Sequence, residues 1–239
     1  MKFNIIDIII VFLLISGFIT GYKKGLIKQA ISTIGLIAIV ILAFLFKNDL
    51  SIILYKNCPF FTVGLLKNYS SLNILLYELI SFFIIFVLLS IILNIVLKLT
   101  GIVEKIILDE DGLFKTLFKI LGGLLGAIES YVSIFVLLLV LSMPIFSLNF
   151  TNYVNKSRLR NHILNNTILI SNISEPLVKT IDSITDLHLK KKIGKEEFNC
   201  KTIEIFKENK IISEESLKYL QKHKKLDIKC EKEEKEVNI

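Results

Sequence analysis

The sequence has little with which to do covalent chemistry. Its three cysteines, Cys58, Cys200 and Cys230, lie far apart, form no C-x-x-C and have no histidine at metal-ligand spacing, which argues against a structural metal. Cys200 and Cys230 would pair in an oxidising compartment, although unpaired thiols are the default expectation. The three histidines, His162, His188 and His223, all fall in the polar C-terminal part, where an imidazole is most simply a surface side chain. No G-x-S-x-G, H-E-x-x-H or G-x-x-x-x-G-K-[ST] occurs, so the motifs for a serine nucleophile, a zinc protease and a phosphate loop are missing. The expectation is a non-enzyme with no catalytic residue, no metal and no cofactor.

Apolar residues are what the sequence has in excess. They make up 53% of the 239 residues, the mean hydropathy is +0.63, and the excess lies before residue 150. Four stretches, 3–22, 26–46, 72–97 and 120–146, reach the roughly 20 helical residues needed to cross about 30 Å of hydrocarbon. The first is too long for a signal-peptide core and lacks a small-x-small cleavage site, so it reads as a retained anchor. The expected fold class is all-α: an integral membrane protein with about four transmembrane helices in residues 1–149, and a small helical, basic, water-soluble tail over 150–239. The charge run after about residue 230 is expected to be disordered.

Only a short turn ending at Gly25 separates the first two stretches, which predicts a tight antiparallel hairpin with Lys23, Lys24 and Lys28 at one interface. The connection 47–71, interrupted by Pro59 and Gly64, predicts a segment on the membrane surface. Glu129 leaves two readings of the fourth region open. Either one span runs from about 120 and buries this carboxylate, or 112–127 is amphipathic or re-entrant and the true span is 131–148. In the tail, Ile173, Leu177, Ile181, Ile184 and Leu187 recur at helical spacing, with Pro176 tolerable in a first turn. A second helix is expected over 196–208 with Phe198, Thr202, Ile205 and Phe206 on one face. A third would start at the N-cap Ser213, with Ile212 and Leu217 placed for a hydrophobic staple.

The formal charge of +7 reads as contact with anionic lipid and gives no ground for nucleic-acid binding. The positive-inside count ties at seven against seven. Lys23, Lys24, Lys28, Lys98, Lys105, Lys115 and Lys119 lie on one side, and Lys2, Lys47, Lys56, Lys67, Lys156, Arg158 and Arg160 on the other. The lysine cluster after the first helix points both termini outward.

Gly17-x-x-x-Gly21-x-x-x-Gly25 and Gly122-x-x-x-Gly126 place small residues on single helical faces, where they serve close packing inside the chain or homo-oligomerisation. Three acids lie at or within spans, and intramembrane carboxylates often mark ion paths. Asp7 is near a helix N-terminus that favours its charge, and Glu78 is only six residues into the third stretch. Glu129 stands out as a candidate for lining a polar cavity.

Three segments together resemble the CvpA family, the colicin V production proteins of bacterial inner membranes. They are Asn4-x-x-Asp7, the turn Gly21-Tyr22-Lys23-Lys24-Gly25-Leu26, and Lys119-x-x-Gly122-x-x-x-Gly126. Asn155-Lys156-Ser157-Arg158-Leu159 looks like the family's short serine segment after the last span, so the resemblance covers roughly residues 3–165. Lys119 stands where the family usually has Arg, and Glu129-Ser130 where it often has Arg-Gly. The resemblance implies a multi-pass protein of the bacterial plasma membrane without known catalytic residues, associated with bacteriocin production or export and with envelope integrity. Some relatives fuse such a region to an extracytoplasmic protease domain, which agrees with an outward tail. The expected role is an accessory or scaffold in toxin production. Its expected partners are the lipid bilayer, a homo-oligomer and a protein bound by the tail. The alternative is a small oligomeric transporter or channel subunit using Glu129.

Overall fold

A computed structural model describes residues 4–100, 115–145, 148–166, 171–190 and 193–226, and among these there is no strand. Four helices are long and apolar enough to cross a membrane: α1 (Ile5–Lys24), α2 (Leu26–Asn57), α4 (Leu72–Thr100) and α5 (Lys115–Ser142), with the short α3 (Gly64–Asn68) between α2 and α4. Beyond them follow α6 (Leu148–Asn155), α7 (Arg158–Asn166), α8 (Ser171–Lys190), α9 (Lys195–Glu208) and α10 (Glu214–Lys222). Over the described residues the protein is thus all-α, with four candidate spans and a helical C-terminal region, as its sequence predicts.

The tight hairpin of the first two spans is not what forms. The helices pack in the order α1, α5, α2, α4, so α5 lies between α1 and α2, which scarcely touch although Gly25 alone separates them. Gly25 takes φ 80° and ψ 170°, a conformation that ends one helix and starts the next at no side-chain cost. The cause of the opening is the glycine face of α1. A Cβ added at Gly122 would lie 2.8 Å from the Gly21 carbonyl oxygen, and one at Gly126 would lie 2.8 Å from the Gly21 Cα. Backbone meets backbone here, and only glycine on both sides permits that approach. The ring of Phe18 likewise rests on Gly123.

The connection 47–71 also differs from expectation, because α2 runs on to Asn57. Its 32 residues span about 48 Å, well beyond the hydrocarbon thickness. The helix continues because Lys47 and Ser51, one turn apart, both face Glu78 of α4. It stops where Cys58, preceding Pro59, turns to an extended conformation. Asn73 then holds the backbone of Phe61, accepting from its N–H at 2.8 Å and donating to its carbonyl at 3.2 Å.

In the fourth region α5 is unbroken from Lys115 through Glu129 to Ser142, which favours the single span and rules out one that starts at 131 and runs to 148. Residues 112–114 lie outside the described residues, as do Lys2, Lys105, Cys230, the charge run after it and the side chain of Ile173. Beyond residue 83, Ile84, Val87, Leu88, Ile91 and Ile92 of α4 are exposed, as side chains facing lipid are.

The tail covers one end of the spans. Leu177, Ile181 and Ile184 of α8, Phe198, Thr202 and Phe206 of α9, and Ile212, Leu217 and Leu220 around α10 are buried. Ser213 caps α10, accepting from the Ser216 N–H at 3.2 Å. Pro176 is the sixth residue of α8, inside the helix and not in its first turn. Lys225 reaches under the end of α2, its ammonium donating to the carbonyls of Tyr55, Lys56 and Cys58 at 3.1, 2.5 and 2.9 Å. A cation thereby caps the negative end of that helix. The start of α1, the end of α2, the start of α4 and the tail therefore share one side, and Gly25 lies on the other.

Candidate functional site

Asp7, Glu78 and Glu129 each centre a polar cluster among the described residues. The first joins the tail to α1. Asn4 caps α1, accepting from the Ile6 N–H at 3.0 Å, and its amide donates to the Tyr153 carbonyl at 3.1 Å. Asp7 accepts from the Ser157 hydroxyl at 2.5 Å and from the Leu159 N–H at 3.1 Å, while Ser157 caps α7 by accepting from the Arg160 N–H at 3.0 Å. One carboxylate near the start of α1 thus also neutralises the start of α7, where free N–H groups and the helix dipole favour a negative charge. Arg160 is 2% exposed. Its guanidinium donates to Ser142 at the end of α5, to Asn161 and to Asp182 of α8, at 2.9, 2.8 and 2.9 Å. Two segments that carry the family resemblance, Asn4-x-x-Asp7 and Asn155 to Leu159, meet at this joint across 150 residues of chain.

The second cluster ties α2 to α4. Glu78 accepts from Lys47 and, at 2.5 Å, from the Ser51 hydroxyl, and the Lys47 ammonium also donates to the Asn48 side chain at 2.7 Å. Both members of the ion pair are buried within the protein, although Glu78 lies only six residues into its helix.

The third cluster lies at the other side. Glu129 accepts from the Gln29 amide at 2.5 Å, and the Thr33 hydroxyl lies 3.4 Å from the same carboxylate and 3.2 Å from the Leu125 carbonyl, to one of which it donates. It lines a cavity of about 330 Å³ with Ser16, Thr20 and Lys24 of α1 and Ser130 and Ser133 of α5. Gly122 meets Gly25 at the turn, and Glu129 is seven residues further along α5, about 10 Å deeper. Gln29 is 1% exposed, and its side-chain oxygen has no hydrogen-bond partner.

The sequence-derived candidates are therefore placed as follows. Gly17, Gly21 and Gly25 face Gly122, Gly126 and Ser130 inside one chain; Asp7, Glu78 and Glu129 fall in three separate clusters. Lys23, Lys24 and Lys28 are exposed and Lys119 is partly so. Arg160, Lys47, Gln29 and Thr33 were not singled out as site residues. The available signal was spacing: Gln29 with Thr33, and Lys47 with Ser51, are polar pairs four apart that share a helical face in apolar surroundings. Cys200 is disulfide-bonded, against the default of a free thiol, and Cys58 is free.

The family model described as colicin V production protein matches residues 6–168, which takes in the four spans, α6, α7 and the Asp7 joint, and ends before α8. No curated protein and no solved structure matches the chain.

Proposed function

The chain belongs to the colicin V production protein family, and on that premise we propose that it is a non-enzymatic scaffold of the bacterial plasma membrane, accessory to bacteriocin production or export and to envelope homeostasis. The family is not a known enzyme family. The observation that carries the scaffold reading is the Asp7–Ser157–Arg160 joint. It holds the start of the tail against α1, α5 and α8 at once, so the tail is a fixed platform for a protein partner. Hydrogen bonds to a charged group contribute about 2 kcal/mol each, so Asp7→Ala is expected to open the joint at least tenfold more often. Limited proteolysis in membranes reads this directly: tail cleavage should accelerate and bacteriocin export should fall, with Asp7→Asn intermediate. Wild-type protection together with wild-type export in Asp7→Ala would sink the scaffold reading.

The same reading places the tail outside the cytoplasm. Two of the seven basic residues counted for that side, Lys47 and Arg160, are buried in polar contacts, whereas Lys23, Lys24, Lys28 and Lys98 opposite are exposed, which tips the positive-inside balance. A disulfide at Cys200 fits an oxidising compartment. On intact cells a membrane-impermeant maleimide should label Cys58 without reduction and Cys200 only after it. Labelling of either residue only after lysis would place the tail in the cytoplasm.

A second reading, a small oligomeric transporter or channel subunit, is favoured by the polar cavity at Glu129. It predicts solute or ion flux in proteoliposomes that Glu129→Gln abolishes.

A further inference from the structure

We propose that α6 lies in the plane of the membrane interface and that Lys156 and Arg158, just beyond it, bind the phosphate headgroup of an anionic phospholipid beside the Asp7 joint. This goes beyond the scaffold reading and does not depend on which way the chain faces.

The depth of α6 follows from what it touches. With 20 residues α1 spans about 30 Å, the thickness of the hydrocarbon, so each of its ends lies at a boundary. Tyr153 of α6 sits at the first of these ends. Its hydroxyl accepts from the Ile5 N–H at 3.3 Å, and its carbonyl accepts from the Asn4 amide at 3.1 Å. The Thr151 hydroxyl donates at 3.2 Å to the carbonyl of Met143, the residue after the end of α5. Contacts to the ends of two spans thus hold α6 at the level where headgroups meet acyl chains.

The two faces of α6 differ as an interfacial helix requires. Thr151 and Val154 are buried against the protein, whereas Phe150, Tyr153 and Lys156 are exposed along one side. From Ile5 inward, the exposed Ile8 and Phe12 of α1 carry this apolar surface on into the hydrocarbon. Phe150 and Tyr153 are therefore continuous with a face that meets lipid, at the depth where amphipathic rings collect.

Charge selects the headgroup. Lys156 and Arg158 flank Ser157, both are exposed, and among the described residues neither forms an ion pair. The acids of the joint are engaged elsewhere: Asp7 by the Ser157 hydroxyl and the Leu159 N–H, and Asp182 by Arg160. Two cations two residues apart at headgroup level suit a phosphate that carries net negative charge, whereas a zwitterionic headgroup brings its own cation and gains less.

The chain has no tryptophan, so Phe150→Trp provides a single fluorescent reporter. The full-length protein is reconstituted in vesicles of equal parts phosphatidylcholine and phosphatidylglycerol, with bromine placed near the headgroup end of the acyl chains of one lipid or the other. Brominated lipid should quench the tryptophan, and phosphatidylglycerol should be preferred at this position by roughly tenfold. Adding Lys156→Gln and Arg158→Gln, both at exposed positions, should bring the preference to parity while the lipids still quench. Lys28→Gln, exposed on the Gly25 side, should leave it unchanged. Quenching by iodide in the water without quenching by lipid would put this face in solvent, open to a soluble partner, and overturn the proposal. Equal quenching by the two brominated lipids, or a preference that persists in the folded double variant, also overturns it. Loss of the preference on adding glycerol phosphate would make free phosphate the ligand, with the same consequence.

Discussion

Gly21→Leu is expected to drive α1 away from α5 and to cost about 3 kcal/mol or more, the upper range for forcing a side chain into a filled interior. The obstacle is backbone. A Cβ at Gly21 would overlap the Gly122 carbonyl oxygen and lie 2.8 Å from the Gly126 Cα, and neither can rotate aside as a side chain can. Relief requires the helices to separate, which also lifts Phe18 off Gly123 and loosens the cavity at Glu129. The thermal midpoint in detergent should fall, and protease sites near the turn at Gly25 should open. Gly194→Ala, where an added Cβ meets nothing within 4 Å, should stay within about 1 kcal/mol of wild type. A Gly21→Leu protein with the wild-type midpoint would contradict the interposed position of α5.

The second large effect is expected at the buried ion pair. Glu78→Leu leaves the Lys47 ammonium, 5% exposed, without its counter-charge, and breaking such a pair costs about 3–5 kcal/mol. Lys47→Met should cost a similar amount by stranding Glu78. The double variant should recover most of the loss, because two apolar side chains of similar volume need no desolvation. Equilibrium unfolding of the four proteins gives the coupling directly. A double variant as unstable as the sum of the singles would show that the two residues do not act as a pair.

The candidate sites were legible in unequal parts. Asp7 and the Asn155 to Leu159 segment each stood out in the sequence, yet nothing in either announces that they touch, since 150 residues of chain lie between them. Glu129 stood out because a carboxylate in an apolar stretch is costly. Its partners Gln29 and Thr33 did not, because neutral polar residues carry a weaker penalty in such a window. Lys47 was misplaced for a related reason: a lysine directly after the apolar run 34–46 reads as the end of a span unless its counter-charge on another helix is known.

Hydropathy and length by themselves determined that the chain is helical, has four candidate spans and carries an amphipathic helical tail. These properties follow from transferring each segment separately into hydrocarbon or water, and so need no knowledge of neighbours. The order of the spans, the opening of the first hairpin, the continuation of α2 to Asn57 and the pairing of buried charges were decided only in three dimensions. Each depends on which surface meets which. The short turn at Gly25 promised that α1 and α2 would pack together, but matched glycine faces let α1 and α5 meet backbone to backbone, and α5 takes the place beside α1.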